Sequence, residues 1–170
     1  MTITRHGSAT LDFPSDCEVL VTRQFDASAE LLFDLLTKPE HVTVWFTDSA
    51  EPLEICDIDL RVGGEYRMVG VFSDGTRCGF HGTFLEVDRP VRTVETWVFE
   101  ARPEAEAIET VTLHEEDGVT TMSILLAFKD EPSRNAMFQH ALEHLDDPAI
   151  AIDGMQAAYD KLEDLIARLA

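Results

Sequence analysis

The middle of the chain, from Glu51 to Phe128, consists of six successive segments in which apolar and polar residues alternate. A period of two is typical of β-strands that bury one face. The dipeptides Gly63-Gly64, Asp74-Gly75 and Asp117-Gly118 separate three pairs of these segments and favour tight hairpins, because such turns need positive φ. The pattern therefore predicts a meander of antiparallel strands. The six segments are Leu53–Leu60, Glu65–Phe72, Arg77–Val87, Thr93–Phe99, Ile108–Glu115 and Thr120–Phe128.

Helical patterns flank this meander on both sides. After Pro132 the apolar spacing changes to the helical period of 3.6, and the second of two stripes, from Met155 to Leu169, is long. Ahead of the meander, Cys17–Phe25 has strand character, and the two short segments after it, up to Phe46, are helical.

An amphipathic helix needs an apolar surface to lie on, and an antiparallel sheet with one apolar face needs a cover. The order strand, two short helices, six strands and long helix predicts an α+β, helix-grip fold, with a curved sheet around the C-terminal helix. We expect one domain over residues 17–170, and an irregular lead-in over residues 1–16, where no period is sustained.

Charge excludes several kinds of partner. The chain of 170 residues has 13 Lys and Arg against 33 Asp and Glu, a formal net charge of −20. Such a surface repels nucleic acid and anionic membranes.

No apolar run approaches the ~20 residues that span a bilayer, and the start lacks a signal-peptide pattern, so a cytoplasmic protein is predicted. Cys17, Cys56 and Cys78 lie far apart and form neither a disulfide framework nor a metal motif.

Seven short motifs in order along the chain resemble the activator of 90 kDa heat shock protein ATPase homologue-like family, a branch of the START-like (SRPBCC) superfamily. The similarity extends from Cys17 to Ala170, with Val62 where the family usually has proline and an apparent insertion at Leu145–Ala151. The resemblance implies a cavity between sheet and C-terminal helix but no particular reaction. The motifs are Phe25–Ser28, Leu36–Glu40, Val44–Phe46, Asp59–Arg67, Gly82–Pro90, Val94–Trp97 and Gly154–Leu162.

A gap between helix and sheet would be lined by residues that face the helix, and aromatic side chains are the first candidates. The leading hypothesis is a protein that binds a small, largely apolar molecule in this cavity without covalent chemistry, cofactor or metal. The predicted ligand-binding residues are Trp45, Phe46, Tyr66, His81, Trp97, Phe99, Met155 and Tyr159.

Two other functions stay open. One is a cyclase, hydrolase or lyase on an aromatic or polyketide-like substrate, with His81 or Tyr66 as cavity acid or base. It requires a perturbed titratable group facing the cavity. The other is a co-chaperone-like interaction protein, as the family resemblance suggests.

Two further features concern metal binding and assembly. His140-Ala141-Leu142-Glu143-His144 has the H-x-x-E-H spacing of some zinc sites, but the sequence offers no third ligand nearby and a solvated helix face explains it more simply. A homodimer is predicted, because Trp97 or the apolar residues Leu145, Ile150 and Ile152 would leave an apolar patch outside the core.

Overall fold

The computed structural model describes residues 9–147 and 152–169, which contain one antiparallel sheet of eight strands. The strands are β1 (Thr10–Asp12), β2 (Glu18–Phe25), β3 (Ile55–Ile58), β4 (Glu65–Val71), β5 (Arg77–Asp88), β6 (Arg92–Phe99), β7 (Ala107–Glu116) and β8 (Val119–Phe128). Their order across the sheet is β1-β2-β8-β7-β6-β5-β4-β3, so β3 to β8 form the predicted meander. The predicted α+β fold class is confirmed.

The turns of the meander form where the sequence predicts them. Between β7 and β8, Asp117 and Gly118 both have positive φ, 53° and 79°. Two positive φ values in a two-residue loop match the right-handed twist of the flanking strands. Gly63 and Gly75 also have positive φ.

The first two helices are the two short helices predicted after the first strand pattern. α1 (Ala29–Thr37) begins at Ser28, whose hydroxyl accepts a hydrogen bond from the backbone N–H of Leu31 at 3.1 Å. α2 (Pro39–Trp45) follows at once and starts with a proline, which is well suited to the first helical turn.

The C-terminal part of the chain contains three helices among the described residues: α3 (Glu131–Met137), α4 (Gln139–Glu143) and α5 (Asp153–Leu169). The first apolar stripe after Pro132 thus forms two short helices, which meet at Phe138. Of the apparent insertion at Leu145–Ala151, residues 148–151 lie outside the described residues. Within the described ranges no helix combines the length and apolarity needed to cross a membrane.

The lead-in predicted over residues 1–16 is not wholly irregular. Its residues 1–8 lie outside the described residues, but Thr10–Asp12 form β1, which pairs antiparallel with Leu20–Thr22 on β2. Three residues are too few to show a period in the sequence, and the pairing depends on the open edge of β2 rather than on a pattern within β1.

α5 lies against the concave face of the sheet. Leu162 is fully buried on this helix, with Ile166 beside it at 4% exposure. Both belong to one core cluster with Val19 and Phe25, which face inward from β2. Arg23 stands in the same inward row, fully buried, and its Nη2 binds Glu163 Oε2 on α5 at 2.8 Å. An apolar contact and an ion pair therefore fix the helix to β2.

The curvature of the sheet follows from which residues share its concave side. Val21 on β2 and Tyr66 on β4 line the same cavity. Five strand spacings separate them, which is about 24 Å on a flat sheet. The sheet therefore curves around α5, as the helix-grip arrangement requires.

The packing of α5 predicts a stability difference between two leucines of that helix. Leu162→Ala removes a fully buried side chain and should lower the free energy of unfolding by about 3 kcal/mol, because the cavity left behind cannot collapse completely. Leu169→Ala is the matched control, since Leu169 is 49% exposed. Urea unfolding measures both, and equal losses would contradict this packing.

Candidate functional site

A cavity of about 550 Å³ lies between the concave face of the sheet, α2 and α5. Its volume falls within the range of small-molecule sites, ~300–1,000 Å³. Strands β2 to β8 all contribute to its walls, and most of the lining side chains are apolar. The gap that the architecture predicts between helix and sheet is therefore present.

Aromatic rings form a continuous chain of contacts along the cavity. Tyr159 on α5 packs against Trp45 on α2, with ring centroids 6.4 Å apart. Trp45 contacts Phe46 at 5.9 Å, Phe46 contacts Phe80 at 5.4 Å, and Phe80 contacts Trp97 at 5.5 Å. The Trp45 indole N–H donates to the Leu35 carbonyl at 2.8 Å, which fixes the ring at the end of α2.

Tyr66 is held on the wall of the cavity by a glycine. Gly82 is its cross-strand partner on β5, and a Cβ added at Gly82 would lie 2.8 Å from the Tyr66 ring and 1.8 Å from the Thr96 carbonyl oxygen. The absence of a side chain lets the ring lie over the strand, where its hydroxyl donates to that carbonyl at 2.7 Å. The Tyr66 hydroxyl is thus engaged with the backbone.

Six of the eight predicted ligand-binding residues line the cavity. They are Trp45, Phe46, Tyr66, Trp97, Met155 and Tyr159. His81 and Phe99 are not among the lining residues. Phe99 shares the inward parity of Trp97, but it lies at the end of β6, where its ring stacks on Phe80 at 5.0 Å.

His81 lies on the outer face of the sheet, because it alternates with the inward-facing Phe80 and Gly82. Its side chain is 47% exposed, and its Nδ1 lies 2.7 Å from Glu100 Oε2. Arg67 binds the same carboxylate with two hydrogen bonds of 3.0 Å. Bonding to Arg67 is the main reason that the pKa of Glu100 falls to about 2. His81 is therefore part of a surface ion-pair cluster.

Two glutamates that sequence reasoning missed face the cavity from adjacent strands, one of them buried and the other half-buried. Glu95 on β6 is 3% exposed, and Glu109 on β7 is its direct register partner. Directly opposed residues of an antiparallel pair have Cβ atoms about 5 Å apart. The Thr93 hydroxyl donates to the Glu95 carboxylate, with oxygen–oxygen distances of 2.8 and 3.1 Å.

Burial makes both carboxyl groups hard to ionise. The pKa of Glu95 rises to about 7, chiefly because burial disfavours its charged form, although the Thr93 hydroxyl partly offsets the effect. The pKa of Glu109 is raised well above its ordinary value by burial and by the charge of Glu95. The charge of Glu95 disfavours ionisation of Glu109, so the two titrations are linked.

No cation neutralises this pair among the described residues. Arg92 lines the same cavity, but its Nε binds Glu86 Oε1 at 3.2 Å. The pKa of Tyr159 is raised by burial and next by the charge of Glu109, and it is lowered by the charge of Arg23, so the phenol lies within electrostatic reach of both groups. The cavity therefore combines mostly apolar walls with a pair of glutamates that no cation among the described residues binds.

One signal in the sequence could have located the pair. Trp97 was predicted to face the cavity, and strand alternation then places Glu95 on the same side. In the next strand the apolar residues Val111 and Leu113 indicate the inward parity, which Glu109 shares.

The comparisons with known proteins agree with this architecture. The profile of the family described as "Activator of Hsp90 ATPase homolog 1-like protein" matches residues 26–167, most of the chain. The chain belongs to this family. The sequence resemblance is thereby confirmed, whereas none of the curated proteins matches the chain.

Solved structures similar to this family member support the fold alone, since each is below 25% identical. A protein from Rhodobacter sphaeroides has 22% identity and a TM-score of 0.79, with 96% of this chain and 100% of that chain covered. Protein Ms6760 from Mycobacterium smegmatis has 19% identity and a TM-score of 0.74, with coverage of 93% and 96%. An Arthrobacter aurescens protein has 18% identity and a TM-score of 0.75, covering 94% and 91%.

The H-x-x-E-H segment of this family member forms no metal site in the described residues. The His144 ring Nδ1 lies 2.8 Å from the His140 carbonyl oxygen, and the two imidazole rings are 4.6 Å apart. Nowhere in residues 9–147 and 152–169 do three His, Cys, Asp or Glu side chains cluster as metal ligands would.

The carboxyl pair predicts an unusual dependence of stability on pH. A carboxyl whose pKa is raised on folding favours the folded state below its unfolded pKa, and this stability is lost as pH rises through the folded pKa. Glu95→Gln removes that loss. We expect the variant to match the wild type near about pH 4 and to exceed it by about 3 kcal/mol near about pH 9, from the shift of 4.5 to about 7.

The measurement is urea unfolding of both proteins across this pH range. Glu116→Gln is the matched control, because its side chain is 79% exposed on the same sheet and its removal changes the net charge equally. A gap between Glu95→Gln and wild type that stays constant with pH would show that the Glu95 carboxyl is not perturbed in the folded protein.

Proposed function

We propose that this protein binds a small, largely apolar molecule in the cavity between the sheet and α5 and performs no covalent chemistry on it. The observation that carries the proposal is the cavity itself, about 550 Å³ of space with predominantly apolar walls. A ligand in this space would gain dispersion contacts with the apolar walls and release water from them.

The position of the cavity also favours ligand binding. Its walls come from the sheet on one side and from residues of all five described helices on the other, so a ligand would lie between secondary-structure elements instead of on a surface loop. Rings such as Trp45, Phe46 and Trp97 offer large apolar contact areas to a bound molecule.

The enzyme alternative is a second candidate, supported by the Glu95–Glu109 pair. One protonated and one ionised carboxyl, side by side in an apolar cavity, can donate and accept a proton. The acid and base of a cyclase, hydrolase or lyase would then be these glutamates. His81 lies on the outer face and the Tyr66 hydroxyl is bonded to the Thr96 carbonyl, so both are poorly placed for that role.

Chaperone partnership and homodimer formation stay predictions. Of the residues proposed for an exposed apolar patch, Trp97 lines the cavity, Ile152 is 6% exposed and Leu145 is 58% exposed. Ile150 lies outside the described residues. Light scattering at physiological salt distinguishes a monomer of 19.0 kDa from a dimer of twice that mass.

The binding proposal predicts that filling the cavity abolishes binding. Val111→Phe adds a ring to the cavity wall at the centre of β7, and we expect it to weaken the binding of the neutral fluorophore Nile red at least ~10-fold, since about 1.4 kcal/mol of lost contact produces that change. Fluorescence titration of the dye measures the effect.

Val62→Phe is the matched control, because the same side-chain change occurs at a turn position that is 63% exposed and outside the cavity lining. It should leave the affinity for Nile red unchanged. If Val111→Phe and the wild type bind the dye equally, or neither binds it, the proposal is wrong.

A further inference from the structure

The Glu95–Glu109 pair lowers the stability of the fold, and it lies in a cavity whose other walls suit an apolar ligand. When both carboxyls are ionised, two like charges lie directly opposite each other on neighbouring strands and destabilise the sheet, and the apolar surroundings add a desolvation cost. Glu95 is 3% exposed, and no side chain of opposite charge binds either carboxylate within the described residues. A group that neutralises this pair must therefore come from outside these residues.

A second polar group faces the same cavity independently of the pair. Tyr159 on α5 lies on the opposite wall from the sheet, is 7% exposed, and lines the cavity. Its hydroxyl has no hydrogen-bond partner among the described residues. A buried phenol normally finds such a partner, so this hydroxyl is available to a ligand between helix and sheet.

The carboxyl groups of Glu95 and Glu109 and the hydroxyl of Tyr159 together favour one kind of ligand atom, a positively charged hydrogen-bond donor. Two carboxyl groups and a phenol oxygen can together accept several hydrogen bonds and favour positive charge. Trp45 and Phe46 lie on the same cavity wall as Tyr159, and aromatic faces attract cations. A carboxylate ligand would be repelled by the pair, and a hydroxyl ligand could satisfy only part of it.

We propose that the apolar ligand of this cavity carries a basic amine, and that Glu95, Glu109 and Tyr159 bind the protonated nitrogen while the aromatic walls enclose the rest of the molecule. This inference rests on the proposed binding function and specifies the ligand class for the same site. Binding of an amine would explain why the chain has two glutamates at positions where they lower the stability of the fold.

Three probes of nearly equal shape test the inference: naphthylethylamine, naphthylethanol and naphthylacetate. Isothermal titration calorimetry near neutral pH measures their affinities for the wild-type chain. We expect the amine to bind about 10- to 100-fold more tightly than the alcohol, as charge-assisted hydrogen bonds in a desolvated site allow, and the carboxylate to bind most weakly.

Variants of the pair identify the source of the preference. The double variant Glu95→Gln, Glu109→Gln keeps the side-chain shape and removes both carboxyl groups, so it should lose the preference for the amine while retaining affinity for the alcohol. Tyr159→Phe should reduce the preference partly. Glu116→Gln should keep it in full, since it makes one Glu-to-Gln change at an exposed position outside the cavity. Circular dichroism confirms that each variant is folded.

Failure of this inference differs from failure of the binding function. If wild type binds Nile red but binds the amine no more tightly than the alcohol, the amine inference is overturned and apolar binding stands. The same conclusion holds if the double glutamine variant keeps the full preference. If Nile red and all three probes fail to bind, both proposals fall.

Discussion

The contact between α5 and the concave face of the sheet is the constraint on which the rest of the structure depends. Leu162 and Ile166 must be covered, and the sheet covers them by curving until strands as distant as β2 and β4 face one space. The ion pair of Arg23 with Glu163 holds the helix near β2. Beyond the packed stripe the two layers do not close on each other, and the cavity occupies the remaining gap. The binding site is therefore a direct result of how the helix is anchored.

The glutamate pair reveals a conflict between stability and site chemistry. The pKa of Glu95 rises to about 7, so that raising the pH through neutrality forces charge into an apolar wall and weakens the fold. Glutamine at the same position would avoid this loss and still accept the Thr93 hydroxyl hydrogen bond. A residue that lowers stability and has a simple replacement is expected at sites where function needs its charge.

Much of the fold could be predicted from the sequence because its signals are local. Alternation identified every strand of the meander, and Asp117-Gly118 marked a hairpin through its need for positive φ. The three-residue β1 was missed because its pairing depends on the edge of β2, which lies elsewhere in the chain. His81 and Phe99 were placed in the cavity on residue type alone. Strand parity puts His81 outside, and the end position of Phe99 puts it beyond the lining.

The glutamate pair was missed because the two residues come together only through the register in which β6 pairs with β7. Neither Glu95 nor Glu109 stands out in a chain with 33 acidic residues, since most of these are solvated. Their chemistry appears only when β6 and β7 pair so that the two residues meet, on the face that α5 covers. A shift of one residue would turn one of them to solvent, lower its pKa and remove the coupling. The acidic character of the cavity is thus a property of the strand pairing, and binding studies on sequence variants must preserve that register to be informative.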